Sequence, residues 1–320
     1  MNYLIKYVYH QASKFKTEKS IYNIITGKKS HQTFFDAVSL NVLSLFGILP
    51  DLTFDTFKTL IYSKDNDTPN VHQGIPTSNQ ITFRELQFTF IALQLVIQTL
   101  SNQYHNHLSF MPLTSNTAIH KKVKVLYHNI QSQDAFQNVE DEIYDLFEQL
   151  NHKNETSILH YFLSGYQETM YTFKQVSLIH NLSEDDMMLL YYIDLLNLYE
   201  LLQNTNRYPN LNQCLFQPIV SKPVWQTYHY LTNGYHLNEI ANILNVTMST
   251  IEDHILDLFI KGYLNNYSFF LRSSLEQFVH YYRKHPNLKL KHYKSLFNEM
   301  SYFEIKLSIV GLSRGDINAN

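Results

Sequence analysis

The feature that most constrains this chain is the spacing of its apolar residues, which recur mostly at intervals of three and four. That spacing puts apolar side chains on one face of an α-helix, whereas a half-buried strand would alternate every two residues. Glycine and proline, which interrupt helices, number only eight each in 320 residues. We therefore predict an all-α protein, and a hydrophobic content of 44% is ample for buried cores.

Two stretches without helical periodicity divide the chain. Residues 63–80 are rich in turn-forming residues and predict a long exposed loop between helices. Residues 206–223 contain three prolines, which discourage helix formation. We predict an N-terminal all-helical domain over residues 1–205, a linker over residues 206–223 and a second domain over residues 224–320.

Charge is distributed unevenly along the chain, although the net charge is only −3. Residues 1–30 carry six lysines and one glutamate, and residues 261–295 carry seven basic residues and one acidic residue. The acidic block, residues 134–200, has thirteen acidic residues against two lysines, so we do not expect it to lie against nucleic acid. The basic segments at the two ends are the candidates for contact with a polyanion.

Residues 234–260 have the spacing of a helix-turn-helix motif. The motif needs a small residue where its second helix crosses the third, a turn residue that tolerates positive φ, an apolar corner, a helix cap and an apolar inner face. The domain that contains it is winged-helix-like or purely helical, and the alternative is an ordinary helical hairpin. The residues that fill these positions, in order, are Ala241, Asn245, Val246, Thr247, and Ile251 with Ile255.

The outer face of the third helix of the motif is acidic and apolar. Base edges and phosphates are contacted mainly by Arg, Lys, Asn and Gln, whereas residues 221–260 contain one lysine and four acidic residues. We interpret this face as packing on protein, either on the C-terminal helices of the chain itself, which we favour, or on a partner. The candidate residues of that partner surface are Asp253, Leu256, Asp257 and Ile260.

The segment Phe278 to Lys294 combines cations with aromatic rings, which suit phosphates and bases respectively. We predict a DNA-binding surface here, and the alternative is a solvated helical connection whose lysines maintain solubility. A weaker basic patch lies nearer the N-terminus. The candidate DNA-binding residues are Arg283, Lys284, Lys289, Lys291, Lys294, Tyr282 and Tyr293, with Lys28 and Lys29 in the weaker patch.

Catalytic and cofactor motifs are not found in the sequence. Thr26 to Ser30 reads TGKKS, but a phosphate-binding loop needs another glycine five residues before Gly27, where Tyr22 stands. The histidines form no HExxH pattern and Cys214 is the sole cysteine, so neither a metal site nor a disulfide is expected. We predict a cytoplasmic protein that is not an enzyme and needs no cofactor, without a signal peptide or membrane span.

Two segments resemble known families. LNEIANILNVTMSTIEDHI, residues 237–255, is similar to the helix-turn-helix at the C-terminus of some RecQ-type helicases. SIYNIITGKKSHQTFFDAVSLNVLSLFGILP, residues 20–50, resembles the YpbB-like proteins of low-GC bacteria, which combine an N-terminal helical region with this helix-turn-helix. The resemblance implies a link with a RecQ-type helicase, and so with DNA repair or recombination, but implies no catalytic residues.

The leading hypothesis from the sequence is a non-enzymatic accessory protein that joins DNA, bound mainly without sequence preference, to a RecQ-type helicase. The first alternative is a sequence-specific transcription regulator, which the acidic outer face of the motif disfavours. The second is a protein-only adaptor that does not bind DNA.

Overall fold

A computed structural model describes residues 2–63, 74–154, 157–271 and 275–317. Within these ranges the protein has fifteen α-helices and no strand, and one isolated bridge pairs Gly165 with Glu168. The all-α prediction is confirmed. In chain order the helices are α1 (Asn2–Ala12), α2 (Glu18–Ile25), α3 (His31–Ser39), α4 (Phe54–Tyr62), α5 (Phe83–Tyr104), α6 (Thr117–Ser132), α7 (Phe136–Asn154), α8 (Phe173–His180), α9 (Glu184–Leu202), α10 (Lys222–Thr232), α11 (Leu237–Leu244), α12 (Met248–Ile260), α13 (Glu276–Lys284), α14 (Leu290–Leu296) and α15 (Tyr302–Arg314).

The helices form two compact units. Unit 1 comprises Met1–Leu4 and Arg84–Phe216, and unit 2 comprises Ile5–Phe83 and Gln217–Asn320. Helices α5 to α9 therefore belong to unit 1, whereas α2 to α4 and α10 to α15 belong to unit 2. No helix in the described ranges is both long enough and apolar enough to cross a membrane.

Unit 1 combines apolar helix faces with buried carboxylates, two of which accept hydrogen bonds from loops. Helix α7 packs on α6 and α9, and α8 packs on α9. Asp194 in α9 accepts hydrogen bonds from the Ser157 hydroxyl at 2.9 Å and from the Ile158 backbone N–H at 2.7 Å. Glu142 in α7 accepts one from the Leu211 backbone N–H at 2.8 Å. These two members of the acidic block stabilise loops, because buried carboxylates need such donors.

The first half of the predicted linker, residues 206–223, is packed into unit 1. Tyr208 and Cys214 are buried there, and the division between the units falls between Phe216 and Gln217. Three prolines stop a regular helix in this stretch, but they do not stop its apolar side chains from packing. The absence of periodicity was therefore no sign of a free connection.

Residues 1–205, which we predicted as one domain, are divided between the two units. Residues 5–83 belong to unit 2, where α3 packs against α12 and α15. The buried side chains of α3 include Phe35 and Val38. An apolar face predicts that a helix is buried, but the sequence of that helix does not predict which later helix packs against it. Within the predicted loop, residues 64–73 lie outside the described residues, and α4 ends before it at Tyr62.

The TGKKS segment lies in unit 2, where its glycine allows a close approach of two turns. Gly27 has φ of +71°, and a Cβ placed on it would lie 2.8 Å from the Gly47 Cα. The Gly47 backbone N–H donates to the Ile24 carbonyl at 2.9 Å. The close approach of the two backbones therefore requires a glycine at position 27, and this explains Gly27 without phosphate binding.

Candidate nucleic-acid interface

The helix-turn-helix consists of α10, α11 and α12, with α12 packed against both of the others. Helix α11 begins after His236, whose backbone N–H donates to the Glu239 carboxylate at 2.8 Å. Ile240 and Ala241 of α11 are buried. Ile251 and Ile255 lie on the inner face of α12, also buried. The structure thus places Ala241, Ile251 and Ile255 in the packed interior of the motif.

The turn between α11 and α12 follows the sequence prediction in its backbone. Asn245 adopts a left-handed conformation with φ of 52° and ψ of 49°. Thr247 is the N-cap of α12, where its hydroxyl accepts a hydrogen bond from the Thr250 N–H at 3.3 Å. Val246, predicted to fill the corner between the helices, has a side chain that is 36% exposed. It closes the turn through its backbone N–H, which donates to the Ala241 carbonyl at 3.0 Å.

The C-terminal half of α12 is enclosed on all sides. Every residue from His254 to Ile260 is buried, because α3 and α15 cover the face that α10 and α11 leave open. Of the candidate partner surface, Leu256, Asp257 and Ile260 are therefore inside unit 2, and a partner cannot reach them. These three residues pack within the chain itself, as we favoured from the sequence. The helices that pack against α12 there include α3 as well as the C-terminal α15.

A buried ion pair fixes the end of α12. The Asp257 carboxylate accepts a hydrogen bond from Lys261 Nζ at 2.9 Å, and the two side chains are 5% and 8% exposed. The Lys261 ammonium also lies 4.7 Å from the centroid of the Phe34 ring on α3. Arg314 on α15 donates to the last carbonyl of the helix, that of Ile260, at 2.6 Å. Helix α12 is therefore tied to two helices outside the motif.

His254 is a core residue of this packing. Its Nδ1 lies 2.7 Å from the Thr227 hydroxyl of α10, and its ring centroid lies 5.8 Å from that of His31 on α3. Burial lowers the pKa of His254, and His31 lowers it further, while Asp257 and Asp253 act in the opposite direction. The neutral ring is thus the form that suits this position.

Only the first two turns of α12 reach the surface. Ser249 is exposed, while Glu252 and Asp253 are half-buried. Asp253 lies 3.6 Å from Lys306 Nζ, so it remains the one partly exposed member of the candidate partner surface. Burial raises the pKa of Glu252, and the neighbouring Asp253 raises it further. This exposed tip presents carboxylates, which a polyanion repels.

The basic hairpin, α13 and α14 with the loop that joins them, is built on an aromatic core. Phe278 is fully buried, and its ring centroid lies 6.0 Å from that of Tyr282 and 5.7 Å from that of Tyr293. The Tyr293 hydroxyl donates to the His285 carbonyl at 2.6 Å and accepts from the Leu288 N–H at 3.1 Å. Burial raises the pKa of Tyr293 to about 12. Tyr282 and Tyr293 are therefore structural, which corrects their prediction as exposed rings for stacking.

The cations of the basic hairpin lie outside this core. Arg283, Lys284, Lys289 and Lys291 are exposed, and none of them forms an ion pair with another described residue. Lys294 differs, because its ammonium donates to the carbonyls of Asn298 and Met300 at 2.6 and 2.7 Å. It closes the end of α14 and contributes less to an open cationic surface than predicted.

The two basic segments of the sequence lie in the same unit. Lys28 and Lys29 are exposed in the connection between α2 and α3, and α3 packs on α12 and α15 in unit 2. Unit 2 contains eighteen Lys and Arg against fourteen Asp and Glu, a net charge of +4. Unit 1 contains seven against fourteen, a net charge of −7. The acidic block and the candidate interface therefore belong to different units.

The region with this geometry is similar to a known domain. Residues 224–309 match a family of helix-turn-helix domains. The match runs from α10 into α15, so it includes the basic hairpin as well as the motif. The C-terminal helix-turn-helix domain is confirmed, and its described residues are purely helical, without a wing. Comparison with curated proteins and with solved structures gave no match.

Two further features of unit 2 were missed in the sequence. Trp225 on α10 is half exposed and lies 5.3 Å from Tyr228 between ring centroids. Asn287 has φ of +64° in the loop of the basic hairpin, and its side-chain oxygen is buried without a hydrogen bond to a described residue. The sequence Pro286-Asn287 signalled a turn, but not what the side chain faces. The described residues contain no cluster of three or more potential metal ligands.

Proposed function

We propose that unit 2 binds DNA through the phosphate backbone, with the basic hairpin as the main contact and Lys28 and Lys29 as a supplement. The observation that carries the proposal is a group of four exposed cations on the hairpin of a helix-turn-helix domain, none of which forms an ion pair with a described residue. Phosphate contacts of this kind supply affinity without sequence preference. The helix-turn-helix then acts as the scaffold that holds the hairpin.

The burial of α12 argues against the alternative of a sequence-specific transcription regulator. Such a regulator needs a helix whose side chains reach base edges in the major groove. Residues from His254 onward in α12 are covered by protein, and the exposed tip bears Glu252 and Asp253. We expect a preference for any single site well below the ~10³-fold ratio typical of specific binders.

The test compares two charge reversals of equal size. In the first variant, Lys289→Glu and Lys291→Glu change the basic hairpin. In the matched control, Lys121→Glu and Lys124→Glu change two exposed lysines of α6 in unit 1. We expect the first variant to weaken binding to duplex DNA at least ~10-fold at low salt and to reduce the salt slope by about two. Equal affinity of both variants and the wild type would contradict this interface.

We further propose that the protein is a non-enzymatic accessory factor in DNA repair or recombination that brings DNA to a RecQ-type helicase. The support is the resemblance of residues 237–255 to the helix-turn-helix of some RecQ-type helicases, and of residues 20–50 to the YpbB-like proteins. Unit 1 has a net charge of −7, and we expect it to bind the helicase rather than DNA.

Purification of the full chain from its own cells, with and without nuclease, tests the partner. A RecQ-type helicase retained after nuclease treatment supports direct association, and its loss shows that DNA alone joined the two. A helicase partner together with no DNA binding by the purified chain would favour the protein-only adaptor. Turnover of a nucleic acid by the purified protein would contradict the non-enzymatic role.

A further inference from the structure

A small cavity lies beneath the basic hairpin, entirely within unit 2. It has a volume of about 210 Å³ and is bounded by the end of α1, by α3, by α15 and by the loop between α13 and α14. Binding pockets for drug-sized ligands are larger, about 300–1,000 Å³. The cavity therefore suits a single ring system rather than a whole nucleotide or a peptide.

Four of the eleven residues that line the cavity are aromatic. Phe15 and Phe35 line it from the N-terminal part of unit 2, and Tyr282 and Tyr293 line it from the basic hairpin. The two tyrosines that the sequence predicted as surface stacking rings thus face an internal space. Aromatic and apolar walls are what enzymes and binding proteins present to a base that has left the duplex stack.

The polar residues that line the cavity are Lys16, Ser39, Asn287 and Lys289, and the last two suit a base joined to a phosphate. The Asn287 side-chain oxygen is buried and has no hydrogen-bond partner among the described residues. A buried acceptor of this kind needs a donor, and each DNA base has an N–H group on its Watson–Crick edge. Lys289, which also lines the cavity, is exposed and lies in the cationic surface assigned to phosphates.

We infer that this cavity, the base cavity, receives one unpaired DNA base while the exposed cations of the basic hairpin hold the adjoining phosphates. The inference rests on the proposed DNA binding and names the DNA structure that unit 2 prefers. The base contacts the aromatic walls and donates a hydrogen bond to the Asn287 side-chain oxygen. The preference is for an unpaired nucleotide, without preference for a particular sequence.

The experiment measures the affinity of the full chain for three short duplexes that differ at one position. The first has a single extra unpaired nucleotide, the second has an abasic residue in the same bulge, and the third is fully paired. We expect the first to bind at least about fivefold more tightly than the other two, at the lower end of what stacking one base on aromatic side chains contributes. The abasic bulge separates base insertion from a preference for bent DNA.

Two variants test the residues of the base cavity. Asn287→Gly removes the carboxamide and keeps the positive φ, and Phe15→Ala removes one wall. Both should lose the preference for the unpaired base and keep the wild-type affinity for paired DNA. Asn106→Gly is the matched control, because Asn106 has φ of 54° and is exposed in unit 1. Thermal melts establish that each variant is folded, and a folded Phe15→Ala suffices if Asn287→Gly is not.

The outcomes distinguish this inference from the proposal on which it rests. Salt-dependent binding to paired DNA, with no preference for the unpaired base, overturns the base cavity and leaves the proposed function standing. No binding to any duplex overturns both. If free deoxynucleoside monophosphates abolish the preference at concentrations matching the DNA, the cavity is a site for free nucleotides, and the assignment to DNA fails.

Discussion

Helix α12 and the basic hairpin are neighbours in one domain, yet they expose opposite chemistry. The final seven residues of α12 are buried, and its exposed tip carries carboxylates. The basic hairpin turns its aromatic rings inward and leaves four cations outside. In a DNA-binding helix-turn-helix the third helix normally supplies the contacts. Here α3 and α15 cover most of α12, and the DNA contacts that we propose are on the segment that follows it.

The contrast between α12 and the basic hairpin depends on the burial of α12. Lys261→Met tests whether that burial stabilises the domain. The substitution removes the buried partner of Asp257, and breaking a buried pair in this way costs about 3–5 kcal/mol. We expect urea unfolding to show a loss of that size. The double variant Lys261→Met with Asp257→Asn should recover much of it, since it leaves no uncompensated buried charge. A loss below about 1 kcal/mol, the value typical of surface pairs, would contradict the tight enclosure of α12.

Tyr293→Phe asks the corresponding question of the basic hairpin. It keeps the ring but leaves the His285 carbonyl and the Leu288 N–H without their partner, which costs about 1–3 kcal/mol. We expect lower stability in denaturant, with DNA affinity of the folded variant close to that of the wild type. The exposed Tyr302→Phe is the control and should leave stability unchanged. Reduced affinity for fully paired DNA at full stability would instead show that the Tyr293 hydroxyl contacts DNA outside the base cavity.

The pH dependence of stability provides a finer test of the packing around α12. The pKa of His254 is lowered in the folded state, so the unfolded chain binds a proton more readily. Stability from this residue is therefore complete above the unfolded pKa of about 6.5 and falls as pH decreases below it. His254→Gln should lose less stability than the wild type between about pH 7.5 and about pH 5.5. His31→Gln is the comparison variant, because His31, Asp253 and Asp257 are the titratable groups that face His254.

The smallest expected effect concerns the exposed positions of the motif. Ser249→Ala and Asn242→Ala change exposed polar residues of α12 and α11. If the motif does not read bases, DNA affinity should stay within about twofold, whereas losing a base contact costs ~1–3 kcal/mol. The variant with Lys289→Glu and Lys291→Glu, measured in the same assay, shows how large a loss of affinity the assay detects. A loss of about tenfold for Ser249→Ala would return the groove-reading role to α12.

Much of the local structure could be predicted because it depends on neighbours in sequence. The left-handed Asn245, the Thr247 cap and the buried Ile251 follow from residue types at fixed offsets within one motif. Val246 was different, since whether a corner residue is covered depends on the angle between two helices. The cations of the basic hairpin were identified from composition, but Lys294 was used by nearby carbonyls that the sequence alone did not place.

By itself, then, the sequence determined the helical class, the helix-turn-helix and the concentration of charge into acidic and basic segments. Only the tertiary structure decided that residues 5–83 and 217–320 form one unit, that α3 covers α12, and that Tyr282 and Tyr293 face a cavity. The physical reason is that periodicity and capping depend on a few neighbouring residues, whereas the hydrophobic effect is non-directional and does not specify which helix covers an apolar face. Which helix covers it depends on shape and packing across more than two hundred residues of chain.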